Sequence, residues 1–144
     1  MYRVFLDASV YIAGAGSSTG GSRQILDWCA LRLLQPFTCA QVLQEVRRNV
    51  STKLPRASSV LEQIIGAVGA TVITSASEEL TEKALELLPA KDAAAWACVV
   101  VANVDFFITL DRKHFKQTQV VENSPFDIVL PSGFAATFRA ELRM

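Results

Sequence analysis

Four carboxylates are placed where they could do chemistry together. Asp7 closes the apolar run Val4-Phe5-Leu6, and Asp111 follows Phe106-Phe107-Ile108-Thr109-Leu110. An acid directly after a buried strand stands at the rim of a sheet where ligands collect. Asp92 opens a nearly all-apolar stretch that runs to about Ala102, at the helix end whose dipole favours a negative charge. Glu45 falls on the flank of the stripe Val42, Leu43, Val46 and Val50, at roughly 100° per residue, which suits a side chain lining a cleft. Like charges gathered at one rim repel, and a hard cation bound through oxygen is the usual resolution. One histidine, His114, and three scattered cysteines, Cys29, Cys39 and Cys98, are a poor set for zinc. Magnesium or manganese fits the all-oxygen set. Taken singly, each acid has a plainer role as turn former, helix cap or solvated helix residue; the joint pattern carries the argument.

These positions require a strand at Arg3 to Asp7 and a helical turn from Ala8 to Ala13, entering a Gly/Ser/Thr-rich loop from Gly14 to Ser22. A helix from about Ser22 to Leu34 follows, capped by Ser22, with Ile25, Leu26, Trp28, Cys29 and Leu33 inward and Pro36 as its stop. Phe37 to Cys39 is expected as a brief strand and Ala40 to Lys53 as a helix. Pro55 opens another helix, reaching about Gly69. Beyond it come a strand at Ala70 to Thr74, a helix at Ser77 to Leu88, and the helix led by Asp92. A strand at Asp105 to Leu110, a strand at Asp127 to Leu130 and a helix at Ser132 to Leu142 complete the chain. Alternating strands and helices predict a three-layer α/β/α sandwich with a mainly parallel central sheet. Asp105, at the start of its strand, should point away from the carboxyl-end rim.

The chain of 144 residues, 51% hydrophobic and 19% charged, has the size of a single domain with a real core, and residues 1–144 are read as one. No apolar run reaches the roughly 20 residues of a membrane-spanning helix. The opening residues do not resemble a secretory signal, so a cytoplasmic location is expected, where scattered cysteines stay reduced. Fourteen basic and fourteen acidic residues cancel, so nucleic acid would have to be held by a local site rather than by bulk charge. The Gly14 to Ser22 stretch fails the nucleotide-loop fingerprints, because Ser22-Arg23 stands where a Walker loop needs Lys-Ser/Thr. Trp28 and Trp96 sit in apolar helical patterns and read as core, with a dimer anchor as the alternative for one of them.

Leu6-Asp7-Ala8-Ser9-Val10, Val42-Leu43-Gln44-Glu45-Val46, Lys91-Asp92-Ala93 and Asp105-Phe106-Phe107-Ile108-Thr109-Leu110-Asp111, in that order, resemble a PIN domain over about Tyr2 to Leu130. The resemblance implies a Mg²⁺- or Mn²⁺-dependent endoribonuclease, with Asp7, Glu45, Asp92 and Asp111 as catalytic and metal-site acids. Many small PIN proteins, VapC-type toxins among them, are the toxin half of toxin–antitoxin pairs, which implies RNA as substrate, an antitoxin as partner and a homodimer. Ser9 and Thr109 match small polar positions near the site. The chain departs from the pattern in having Ser9 where Asn is common.

Arg112 and Lys113, with Lys116 and the Arg47-Arg48 pair, flank the acids and suit a phosphate-gripping rim; an ordinary solvated surface is the alternative. His114 is not required by this reading. Two rival functions stand beside the nuclease. One is a non-cutting PIN-like module that holds RNA or a protein. The other is a phosphotransfer enzyme using Asp7 as nucleophile, for which Ser9 stands where a second Asp would be needed.

Overall fold

The computed structural model describes all residues from Met1 to Met144. Its centre is built from short strands that are apolar on both sides. β1 (Arg3–Leu6) is flanked by β2 (Gln35–Cys39) and β4 (Phe106–Ile108); β3 (Thr71–Ile73) lies beyond β2 and β5 (Asp127–Val129) beyond β4. All neighbours are parallel, with Phe5 opposite both Phe37 and Phe107. Adjacent residues of β4 serve opposite faces, as the pleat requires. Phe106 packs edge-on against Tyr2 and Phe134, whereas Phe107 packs against Phe5, Phe115 and Phe126.

Helices cover both faces. α1 (Ala8–Gly16), α2 (Gly21–Ala30), α4 (Ser58–Val68) and α9 (Pro131–Leu142) form one contiguous group. α5 (Glu78–Leu87) packs on α6 (Ala90–Ala102), which lies across β2 and β3. α3 (Ala40–Lys53) touches α1 and α6 and so joins the two groups. Two short helices, α7 (Arg112–Phe115) and α8 (Thr118–Asn123), connect β4 to β5. A single core of 37 buried hydrophobic residues results. No helix is long and apolar enough to cross a membrane.

From β1 the chain steps outward through β2 to β3, then returns to place β4 on the other side of β1. Strand order therefore reverses between β1 and β4, and an open parallel sheet forms its ligand crevice at such a point, outside the carboxyl ends. Asp7 and Asp111 follow the two strands that border it.

Several expectations need correction. α2 ends at Ala30, not Leu34, so Leu33 is 41% exposed and Leu34 is the buried residue. Its stop is Arg32, in the left-handed conformation at φ 63°. Arg32 and Leu33 donate to the Cys29 and Trp28 carbonyls, the double closure of a Schellman motif. Pro36 lies inside β2 instead. The Gln35 N–H bonds to β1 at Tyr2 O, so the missing N–H of Pro36 would face the other side, where pairing with β3 begins only at Phe37. The Gly14 to Ser22 loop shrinks to Ser17–Gly20, and Gly20, not Ser22, is the N-cap of α2. Gly14 is instead a packing residue, since a Cβ there would overlap the Leu26 Cδ1 methyl of α2. Trp28 and Trp96 are both buried.

Candidate functional site

The ends of β1 and β4 are tied together by two hydroxyls. β1–β4 pairing continues one step past the strand, with Asp7 N–H donating to Ile108 O at 3.1 Å. Thr109 Oγ1, 1% exposed, donates to Asp7 Oδ2 at 2.6 Å and accepts Asp111 N–H at 3.0 Å. Ser9 Oγ, on the first turn of α1, lies 3.3 Å from the same Asp7 oxygen and accepts Leu110 N–H at 3.0 Å. Ser9 and Thr109 thus fix the position of Asp7 and feed the backbone leading into Asp111. Thr109 is turned inward to Asp7 rather than outward to solvent.

Asp7 is only 8% exposed. Burial pushes its carboxyl up to about 6, the Thr109 hydroxyl opposes that rise, and the Glu45 charge adds to it. Asp92, whose side chain is 12% exposed, is also raised, first by burial, with His114 opposing and Asp111 and Glu45 adding to it. Acids at the β1–α1 junction, on α3, on α6 and at the β4–α7 junction therefore share one electrostatic neighbourhood.

Asp111 caps α7, its Oδ1 accepting the His114 N–H at 3.1 Å. This turns Oδ2 towards the His114 ring. His114 Nδ1 lies 3.0 Å from Asp111 Oδ2 and 3.1 Å from Asp92 Oδ2. The ligand atoms of Asp92, Asp111 and His114 lie within 4.8 Å of one another, a spacing that could hold a metal ion. Asp7 and Glu45 are not members of that tightest trio. Glu45 reaches Lys91 Nζ at 3.5 Å, a pair in which the lysine is 75% exposed.

His114, outside the set of four acids, stands against two of its members. Its signal was present: an acid and a histidine three residues apart, directly after a strand, face one another once the segment turns helical. Asp105 lies at the other end of the sheet, accepting Arg3 N–H on Oδ2 at 2.8 Å, as its position at the strand start requires.

The flanking basic residues divide. Arg47 is held by Glu62 of α4, with Nε and Nη2 each 3.0 Å from a carboxylate oxygen. Arg112 and Lys116 border a groove of about 540 Å³ along α9, lined by Tyr2, Phe106, Phe134 and Phe138 and by none of the four acids. Lys113 is exposed.

A family profile described as PIN domain matches residues 3–113. Two solved structures share the fold. The VapBC2 complex from Rickettsia felis, bound to a DNA fragment from its promoter, aligns with TM-score 0.63 and 16% identity over 89% of this chain and 98% of that one. The DNA-bound VapBC of Salmonella typhimurium aligns with TM-score 0.59 and 14% identity over 91% of this chain and 99% of that one. No curated protein sequence matches the chain significantly.

Proposed function

The chain belongs to the PIN domain family, and from that premise we propose that it is a divalent-metal-dependent endoribonuclease, the toxin of a toxin–antitoxin pair. One observation carries the nuclease reading. Asp7, Asp92 and Asp111, with Glu45 beside them, gather where strand order reverses; Lys91 pairs with Glu45, and His114 Nδ1 lies against Asp92 and Asp111. Carboxylates in that excess, Asp7 buried and the other three half-buried, fit a hard cation. A module that held RNA or protein without cutting would have no need of four such groups. The toxin part rests on the family and on the fold shared with two VapBC complexes. An antitoxin partner, a homodimer and a cytoplasmic location belong to the same proposal.

Asp7, Asp92 and Asp111 would hold Mg²⁺ or Mn²⁺, with Glu45 ligating or orienting the attacking water. The bound ion supplies Lewis acidity, which lowers the pKa of water and offsets charge on the phosphate oxygens. Thr109 and Ser9 keep Asp7 aimed and resist its protonation. Lys113, exposed and two residues from Asp111, would grip a phosphate beside the cut, where positive charge positions the strand without reading its sequence, whereas Arg112 borders the α9 groove. Water adds to phosphorus as the bond to the departing ribose oxygen breaks, leaving a phosphate on one fragment and a hydroxyl on the other.

The test is cleavage of single-stranded RNA by wild type and Asp7→Asn with Mn²⁺, Mg²⁺ or EDTA, run beside thermal unfolding. Expected are metal-dependent cleavage lost in the variant, and a rise in wild-type stability of about 2.7 kcal/mol at a hundredfold excess of ion over its Kd. If millimolar Mn²⁺ neither stabilises nor activates the wild type, the nuclease reading fails and the non-cutting module replaces it. The antitoxin is sought as a small reading frame adjacent to this one, and the homodimer by sedimentation.

A further inference from the structure

We propose that His114 is itself a ligand of the ion held by Asp92 and Asp111, making this a mixed oxygen and nitrogen site that selects a first-row transition ion over magnesium. The inference rests on the metal-site reading above and deepens it. Ligand atoms sharing one ion at about 2.1 Å and right angles stand roughly 3.0 Å apart. His114 Nδ1 is 3.0 Å from Asp111 Oδ2 and 3.1 Å from Asp92 Oδ2. The turn that carries the imidazole is also held in place from two sides. The α7 turn that carries it is capped by Asp111 Oδ1, and the next residue, Phe115, is buried with its ring edge-on to Phe107 at 4.9 Å. Asp111 thus gives one oxygen to orient the histidine and the other to the space they share, as residues supporting metal sites commonly do.

The chemistry of the donor set gives the direction of selectivity. Magnesium is hard, prefers oxygen and keeps several waters, whereas manganese, cobalt and nickel accept imidazole in the order of their general affinities. A nitrogen donor therefore raises affinity for those ions and does little for magnesium.

The experiment is pulsed electron paramagnetic resonance of Mn²⁺ bound to wild type and to His114→Asn, with Mn²⁺ and Mg²⁺ affinities measured by calorimetry on both. Expected are an echo modulation from directly bound nitrogen that vanishes in the variant, a loss of about tenfold in Mn²⁺ affinity, and a Mg²⁺ affinity changed by less than about threefold. Wild-type Mn²⁺ without nitrogen modulation overturns the inference, as does an equal loss of both affinities, since a merely structural histidine would weaken both ions alike. Nitrogen ligation in a protein that cuts no RNA would sink the nuclease reading and leave the ligand assignment standing. Metal-dependent cleavage without nitrogen ligation would do the reverse.

Discussion

Thr109 Oγ1 donates to Asp7 Oδ2 at 2.6 Å, across the seam between β4 and β1. This bond opposes the burial that pushes the Asp7 carboxyl up to about 6. Thr109→Val keeps the shape and removes the donor, so the Asp7 carboxyl should rise further. Only the ionised form binds a cation, so the acidic limb of the pH profile for Mn²⁺ binding and RNA cleavage should move up by on the order of one pH unit. Stability should fall by about 1–2 kcal/mol, because the Asp111 N–H also loses its acceptor. A pH profile identical to that of wild type would mean that Thr109 does not tune Asp7.

Asp7 itself should weaken the metal-free fold. Its carboxyl rises from the ordinary 3.8 to about 6 on folding, so the folded state binds the proton more tightly than the unfolded chain. Stability from this group is therefore highest below pH 3.8, falls between pH 3.8 and about 6, and stays low above that. The difference corresponds to roughly 3 kcal/mol at about 1.36 kcal/mol per pH unit. Asp7→Asn should abolish cleavage and yet, in EDTA at pH 7, resist urea better than wild type by about 1–3 kcal/mol, with that advantage shrinking towards pH 4. An advantage independent of pH would place its origin elsewhere than in the buried charge.

Much of this arrangement could be read from the chain because local and global signals agreed. Strands such as Val4-Phe5-Leu6 are buried on both faces and read as apolar runs, and the acids after them needed only the parallel topology to be brought to one rim. What escaped depended on contacts between distant segments or on unusual backbone. Arg32 ends α2 in a conformation that favours glycine, and its guanidinium donates to Val68 O at the end of α4 at 2.9 Å. Nothing in Leu31-Arg32-Leu33-Leu34 announces that stop. Pro36 looked like a helix breaker because the place where β3 begins to pair cannot be read from β2 alone. Gly14 looked like loop, although its reason is the approach of α2 through Leu26. In the sequence His114 is a lone histidine. Its meaning depends on Asp92, 22 residues earlier on a different helix.

The Lys91–Glu45 pair, at 3.5 Å with the lysine mostly exposed, should matter little to folding. Exposed pairs of this kind contribute about 0–1 kcal/mol. Lys91 does place a positive charge beside the acids, and it lowers the carboxyl of neighbouring Asp92 against the rise that burial causes. Lys91→Ala should leave the urea midpoint almost unchanged and tighten Mn²⁺ binding by a few fold at low ionic strength. The gain should fade as salt rises, since charges are screened over about 8 Å at physiological ionic strength. Calorimetric titrations at two salt concentrations read this directly, and weaker binding in the variant would contradict it.

Trp96 anchors α6 one turn beyond Asp92. The two lie four residues apart on one face of α6, and the indole is buried, with Nε1 donating to Ser124 Oγ at 2.9 Å. Ser124 Oγ in turn donates to Val120 O at 2.6 Å, which fixes the indole against the end of α8. Trp96→Phe removes the donor and leaves unfilled volume in the core. Stability should fall by about 2 kcal/mol, seen as a lower urea midpoint with an unchanged slope and followed through the fluorescence of Trp28. Because Asp92 stays on the same helix, Mn²⁺ affinity should fall by less than about tenfold, well short of the loss expected for Asp92→Asn. If the two substitutions weaken the ion equally, Trp96 is positioning the carboxylate and not merely filling the core.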